Sequence, residues 1–326
     1  MKDRILSGMR PTGPLHLGHL AGALKNWVQL QEKYDCFFMI ADWHALMSEY
    51  KDSTRIREYC LDNLIDWLAI GLDPEKSVLF RQSDVPEHCE LNLILSIITP
   101  LGWLERCPTY KEQINQLKEK ELTTHGFLGY PVLQAADIII YKAKYVPVGE
   151  DQLPHLELCR EIVRRFHFLF KTEIFPEPQA LLTQTPKLLG LDGRKMSKSY
   201  NNFIALSDPP DVIQKKVAEM FTDPQRIKIT DPGHPETCNV YAYYKLFAPD
   251  LEQEVYNQCK SARIGCVQDK MRLAECIIEF LKPFHERRKK FAEDREFLNK
   301  VLQQGAQKAR EVAISTLKEV KQAIGI

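Results

Sequence analysis

Three short apolar runs, spaced by helix-length amphipathic stretches, constrain this chain more than any other feature. Ile5-Leu-Ser-Gly8, Cys36-Phe-Phe-Met-Ile-Ala41 and Ser77-Val-Leu-Phe-Arg81 read as strands. The second is apolar throughout, as a strand covered on both faces must be. Between the first two, residues 16–34 carry Leu20, Leu24, Trp27, Val28 and Leu30 near helical spacing. Between the second and third, residues 56–70 form another helical stretch, closed by Gly71, Asp73 and Pro74. This β-α-β-α-β order predicts an α/β fold: a doubly wound parallel sheet with helices on both faces. Ligands of such sheets bind beyond the carboxyl ends of strands, where strand order reverses. The loops after the first two strands are therefore the place to look for a site.

From Asp208 onward β-type runs give way to charged amphipathic helices, read at 211–221, 240–247, 251–259, 269–292 (with a break at Pro283) and 296–324. The expected organisation is a catalytic α/β domain over 1–200 and an all-helical domain over 201–326. No GxGxxG or GxxxxGKS run is present, so neither a dinucleotide fingerprint nor a P-loop is supported. The 44 basic residues balance 44 acidic ones, so net charge does not attract RNA, and such a partner would need a local basic surface. Arg287-Arg-Lys-Lys290, with Lys308, Arg310, Lys318 and Lys321, offers one; the plainer reading is a solvated helix face. Nine scattered cysteines without a CxxC pair argue against a disulfide framework. No apolar run reaches bilayer-spanning length, and Met1-Lys-Asp-Arg leads straight into a strand pattern. No membrane association and a cytoplasmic location are expected.

Two polar motifs carry the chemistry. In Pro11-Thr-Gly-Pro-Leu-His16-Leu-Gly18-His19, the histidines stand three apart at the start of a predicted helix and share a face. Gly18 lets a flat group approach the backbone. Helix starts attract anions, and two imidazole donors there suit a phosphate whose charge builds in a transition state, at roughly 2–4 kcal/mol per donor. In Lys195-Met196-Ser197-Lys198-Ser199, a turn at Asp192-Gly193 exposes two ammonium groups and two hydroxyls able to grip a polyphosphate. Met196 gives the loop an apolar anchor. Each motif alone also reads as an ordinary polar surface segment. Together, by their resemblance to the paired signatures of class I aminoacyl-tRNA synthetases, they leave three readings open: an aminoacyl-tRNA ligase, a nucleotidyltransferase acting on a small molecule, and a non-catalytic RNA-binding relative. The long helical half weighs against the second, and the intact histidines and lysines against the third.

In this order the two motifs resemble the paired signatures of class I aminoacyl-tRNA synthetases. The similarity extends through Leu6-Ser-Gly-Met-Arg-Pro-Thr-Gly13, Asp42-Trp-His-Ala45, Gly102-Trp-Leu-Glu-Arg106, Pro108-Thr-Tyr-Lys111, Tyr130-Pro-Val-Leu-Gln-Ala-Ala-Asp137, Val146-Pro-Val-Gly-Glu-Asp-Gln152 and Gly305-Ala-Gln-Lys-Ala-Arg310. Nearly end to end, the chain is similar to the bacterial tryptophan enzymes of that class, the branch nearest the tyrosine enzymes. The resemblance implies a Rossmann-like catalytic domain with a helical tRNA anticodon-binding domain. It also implies ATP with Mg²⁺, L-tryptophan and the tRNA for tryptophan as partners, and a homodimer. By it, His16, His19, Lys195, Lys198 and Lys111 would serve catalysis. Arg10, Pro11, Thr12, Gly18, Gly149, Glu150, Asp151, Leu188, Met196, Ser197 and Ser199 would join His19 and the two loop lysines around ATP. Gly8, His44, Tyr130, Gln134, Asp137 and Gln152 would surround the amino acid. Asp137 would accept the indole N–H, while Tyr130 and Gln152 would hold the α-amino group. An indole carries only a donor, and a carboxylate is a strong acceptor for it. The spacing Tyr130-x3-Gln134-x2-Asp137 also serves the tyrosine enzymes, so tyrosine remains open at this point. Some tryptophan enzymes bind an iron–sulfur cluster on four cysteines. Here Cys238, Cys259 and Cys266 fall in that region, but Asp269 takes the fourth place, so no cluster is expected.

Overall fold

The structure, a computed structural model, describes residues 2–108, 110, 111, 114, 121–182 and 188–326, the side chain of Ser199 excepted. Thr109, from one of the motifs quoted above, lies outside the described residues. The chain forms two compact units that do not follow chain order. The first comprises Met1–Thr12, Asn26–Gln184 and Asp294–Ile326, and the second Gly13–Lys25 and Thr185–Glu293.

The first unit holds a five-stranded sheet: β1 (Arg4–Met9), β2 (Asp35–Ile40), β3 (Ser77–Arg81), β4 (Tyr145–Val148) and β5 (Gln179–Leu182). All pairings are parallel, in the order β3-β2-β1-β4-β5. The strands read from sequence are β1 to β3. The other two are short and only partly buried, and β4 contains Pro147, which weakens a strand signal. Strand order reverses between β1 and β4, the switch point at which an open α/β sheet binds ligands. Arg10 to Thr12 follow β1 there, and Gly149 to Gln152 follow β4. Gly8 pairs with Met39, and a Cβ at Gly8 would stand 2.7 Å from Met39 O, so the two strands leave no room for a side chain.

The helices Glu87–Ile98, Tyr130–Ile140, Leu153–Phe170 and Arg295–Ile324 supply Leu91, Leu95, Ile139, Ile162, Phe166, Ala309, Ala313 and Leu317 to the same core as Phe37 and Phe80. The last helix thus belongs with the sheet. Gly305 in it approaches β3 so closely that a Cβ would lie 1.8 Å from Leu79 O. Arg310 pairs with Glu87 at 2.7 Å, and Lys321 pairs with Glu90. Two of the basic residues noted as an RNA surface are therefore engaged within the unit.

The second unit gathers the helices Pro210–Ala218, Asn239–Phe247, Glu252–Lys260 and Cys266–Glu293. The last runs through Pro283 rather than breaking there. A proline removes one N–H donor, but Leu281 and Phe284 beside it are buried and hold the helix in register. The helix predicted over 16–34 divides into an α turn at Leu17–His19, a π segment at Leu20–Leu24 and an α-helix at Lys25–Lys33. Ala21-Gly22-Ala23 presents little side-chain bulk to oppose the wider π turn. Among the described residues, no helix is long and apolar enough to cross a membrane.

Candidate active site

The histidine motif and the lysine loop meet in the second unit. Leu17 N donates to Ile204 O at 3.0 Å and Leu206 N to Leu15 O at 2.8 Å, on either side of an antiparallel bridge between His16 and Ala205. The segment entering the first motif is thus paired with the residues that leave the second. Gly18 N–H faces Met196 Sδ at 3.3 Å, and a Cβ on Gly18 would lie 3.2 Å from that sulfur and 3.0 Å from the His16 ring. Met196 is buried and anchors the loop, while Lys195 is exposed. Lys198 Nζ donates to Gly13 O at 2.8 Å. Gly13 adopts φ +137°, a conformation that only glycine takes without strain.

The His16 and His19 rings lie 3.7 Å apart. Burial, then the Lys198 charge, lowers the His16 pKa to about 3; burial, His16 and Lys198 hold His19 well below its ordinary value. Both imidazoles are therefore neutral at pH 7. His19 Nδ1 accepts the His16 backbone N–H at 3.1 Å, which leaves its proton on Nε2 as a donor. Beside the two rings the positive charge comes from Lys198, and the histidines offer neutral N–H donors.

Asn202, which the sequence reading passed over, ties the loop. Its Oδ1 accepts from Ser197 N at 2.9 Å, and its Nδ2 donates to Asp192 Oδ1 at 2.7 Å and to Lys195 O at 3.1 Å. Gly190 makes room for it: a Cβ there would lie 2.2 Å from Asn202 Nδ2. Leu188 is buried nearby in sequence. The Ser199 side chain lies outside the described residues.

The first unit holds the other set. Asp137, on the helix Tyr130–Ile140, is 2% exposed. Its Oδ1 accepts from His88 Nδ1 at 2.6 Å and Gln82 Nε2 at 2.8 Å. Its Oδ2 accepts from His44 Nε2 at 2.8 Å and the same Gln82 nitrogen at 2.9 Å. Burial raises its pKa, but the two imidazoles and their hydrogen bonds outweigh that and bring it to about 2, so Asp137 is a carboxylate. His88 Nε2 meets Tyr141 OH at 2.7 Å. Burial keeps that phenol protonated. The Asp137 carboxylate only accepts, so His88 Nδ1 is the donor to it, and the phenol stands behind the ring at Nε2.

A second chain joins Tyr130 to Gln152. Tyr130 OH lies 2.6 Å from His155 Nε2, and His155 Nδ1 lies 3.1 Å from Gln152 Oε1. Burial lowers His155 to about 4, so the ring is neutral. An amide oxygen only accepts, so Nδ1 carries the proton and Tyr130 donates to Nε2. Gln134 is half-buried on the same helix as Tyr130, and Glu150 and Asp151 are exposed after Gly149. Thr12 N donates to Arg10 O at 2.9 Å in the turn after β1, and Pro11 is buried there. Lys111 is exposed.

Gln82, His88, Tyr141 and His155 went unnoticed in the sequence. Gln82 follows the carboxyl end of β3, a position that could have drawn attention. His88 and His155 are single histidines on amphipathic helices, which ordinarily mean little.

Cys238, Cys259 and Cys266 share the second unit. Burial first, then Cys238, Asp269 and Cys266, raises Cys259 to about 11 against the opposing Arg226 charge. Arg226 Nη1 lies 4.0 Å from Cys266 Sγ. Among the described residues, no three ligand-type side chains are arranged to hold a metal ion. Three thiols, a carboxyl and a guanidinium do not fit a cluster that takes four thiolates.

The sequence family described as tRNA synthetases class I (W and Y) matches residues 2–282. The chain belongs to this family. The tryptophan–tRNA ligase of Thermotoga maritima is 51% identical over 99% of each chain. That of Aquifex aeolicus is 45% identical over 99% of this chain and all of its own. The crystal structure of Campylobacter jejuni tryptophanyl-tRNA synthetase complexed with ADP and tryptophan superposes with a TM-score of 0.90 at 35% identity, covering 99% of this chain and 100% of that one. The resemblance read from the motifs therefore holds along the whole chain. So does the α/β fold of a class I synthetase, with a parallel sheet and C-terminal helices.

Proposed function

We propose that this class I synthetase is a tryptophan–tRNA ligase. It joins tryptophan to ATP, releasing pyrophosphate, and then passes the tryptophanyl group to the 3′ ribose of the tRNA for tryptophan. The observation that carries this reading is the backbone pairing of Leu15–Leu17 with Ile204–Leu206, which fastens the two phosphate-binding motifs together. The likeness to tryptophan–tRNA ligases at 45–51% identity supports the choice of amino acid.

In the first step a carboxylate oxygen of tryptophan attacks the α-phosphorus, and the bond to the bridging oxygen breaks as pyrophosphate leaves. The carboxylate is already ionised, so no general base is required. Catalysis rests on positioning and on stabilising the charge that builds on phosphate oxygens. His16, His19 and the N–H groups at the helix start donate to the α-phosphate, while Lys195 and Lys198 take the β- and γ-phosphates. Gly18 and Met196 keep loop and helix in register. Mg²⁺ would travel with the nucleotide, sharing phosphate charge with water as its remaining ligands. In the first unit, Asp137 accepts the indole N–H, and Tyr130 and Gln152 hold the ammonium, oriented by His155. Gly149 to Asp151 and Arg10 to Thr12 border the adenosine, and Lys111 reaches phosphate. In the second step a ribose hydroxyl attacks the acyl carbon and AMP leaves.

Arg287, Lys289 and Lys290 are exposed on the helix Cys266–Glu293, which suits contact with tRNA phosphates. Leu93 and Ile97, one turn apart on the helix Glu87–Ile98 and 62% and 77% exposed, share an apolar face that a second copy would cover, so we also infer a homodimer.

Pyrophosphate exchange with each amino acid in turn tests the assignment. Exchange into ATP with tryptophan alone supports it. Exchange with tyrosine transfers the assignment to the tyrosine reading, and exchange with none removes the ligase reading altogether.

A further inference from the structure

The shell around Asp137 is already full. A carboxylate has about four lone-pair directions, two on each oxygen. His88 and Gln82 fill those of Oδ1, and His44 and Gln82 those of Oδ2, at 2.6–2.9 Å. An indole N–H reaching this carboxylate therefore finds no vacant direction, and one donor must leave. The three donors differ in their freedom to do so. Gln82 and His88 are fully buried, and His88 is held from behind by Tyr141, which is itself fully buried. His44 lies on the short helix Asp42–Glu49, its side chain is 11% exposed, and it makes no other hydrogen bond among the described residues.

We propose that His44 is a displaceable donor: it occupies Asp137 Oδ2 in the unliganded enzyme, and yields that oxygen to the indole N–H when tryptophan binds. The inference rests on Asp137 as the indole acceptor. It makes His44 a placeholder that keeps the carboxylate satisfied in the empty pocket and, in doing so, softens the discrimination against ligands without a ring N–H. A ligand without a ring donor cannot replace the imidazole bond, so it must bind beside a carboxylate that is already satisfied. Tryptophan replaces one donor by another and gains only the difference. In return, the buried carboxylate is never left short of donors while the pocket is empty, a state that costs heavily in a low-dielectric site. Gln82 Oε1 is the competing destination, because it is a buried acceptor that no described group satisfies. An N–H going there would leave His44 where it is.

The test compares tryptophan with its isostere in which sulfur replaces the indole N–H, 3-(benzothiophen-3-yl)alanine. Dissociation constants are measured by calorimetry for the intact enzyme, His44→Ala, His44→Gln and Asp137→Asn. If His44 yields its place, the preference for tryptophan over the sulfur analogue rises about tenfold in His44→Ala, because the N–H no longer displaces a donor. It falls back toward the wild-type ratio in His44→Gln, which restores one. In Asp137→Asn the preference shrinks, because the remaining carbonyl oxygen accepts the indole N–H only as a neutral group. An unchanged or smaller ratio in His44→Ala, with the Asp137→Asn fall intact, overturns the displacement and leaves Asp137 as acceptor. A preference left unchanged by Asp137→Asn overturns both and directs attention to Gln82. Tryptophan-dependent pyrophosphate exchange by the same intact preparation keeps these outcomes separate from failure of the ligase reading.

Discussion

Replacing Asp137 by asparagine should separate binding of the amino acid from binding of the nucleotide. The carboxylate accepts three donors through four contacts, so an NH₂ in place of either oxygen meets Gln82 Nε2 whichever way the amide turns. The least costly arrangement points the new NH₂ at His88. That ring would then shift its proton to Nε2 and donate to Tyr141, while the Gln82 amide rotates to present its oxygen. The remaining carbonyl oxygen can still accept the indole N–H, but as a neutral group. Hydrogen bonds to charged groups contribute about 1.5–3 kcal/mol against 0.5–1.5 for neutral pairs. The difference, about 1.3 kcal/mol between the midpoints, limits the weakening of the tryptophan dissociation constant to roughly tenfold, because the His44 bond that tryptophan displaces weakens as well. The rearranged network should also lower folding stability by about 1–3 kcal/mol, the cost of one buried polar group left badly paired. ATP binding should change by less than about twofold, since nothing in this network is assigned to the nucleotide. Calorimetric titration with tryptophan, and separately with a non-hydrolysable ATP analogue, measures both constants; a urea melt measures stability. Equal losses for the two ligands would mean that Asp137 only maintains the fold, and the assignment of the indole acceptor would have to be withdrawn.

Gly305→Ala places a Cβ 1.8 Å from Leu79 O, so the C-terminal helix must move off β3; we expect a loss of about 3 kcal/mol in denaturant melts, and no loss would mean that the helix–strand approach is looser than described. Gly190→Ala collides with Asn202 and should slow adenylate formation by tenfold or more without altering the tryptophan dissociation constant, as rapid-quench kinetics would record; a normal rate would remove Asn202 from the loop's support. Both His16 and His19 have folded pKa values below the unfolded value near 6.5, so the unfolded chain binds more protons below that pH. Their contribution to stability is complete above about pH 6.5 and is lost as pH falls toward about 3, with a slope on the order of 1 kcal/mol per pH unit for each ring. The double variant His16→Asn/His19→Asn should flatten that slope between pH 7 and 5, and an unchanged slope would place the acid sensitivity elsewhere.

Much of the fold was legible because long apolar runs and helical periodicity are local signals. Cys36 to Ala41 could be little other than a buried strand. The histidine motif and the lysine loop stood out because each is contiguous in the chain. What escaped was built from residues distant in sequence. Strand β4 is four residues long with a proline inside, and its identity comes from its pairing with β1 rather than from its own composition. The shell of Asp137 draws on positions 44, 82 and 88, each unremarkable alone, and becomes a site only when three elements converge on one carboxylate. The contact of the last helix with β3 depends on one missing methyl group at Gly305, and periodicity carries no sign of it.

The central claim is that the histidine motif and the lysine loop act on one triphosphate. A double-mutant cycle on His19→Asn and Lys195→Ala, read as the single-turnover rate of tryptophanyl-adenylate formation, tests it most directly. The account predicts a large loss for each single variant and a double variant much less impaired than the product of the two. Losses that multiply independently would show the two motifs serving separate ends, and the shared-phosphate mechanism would fall.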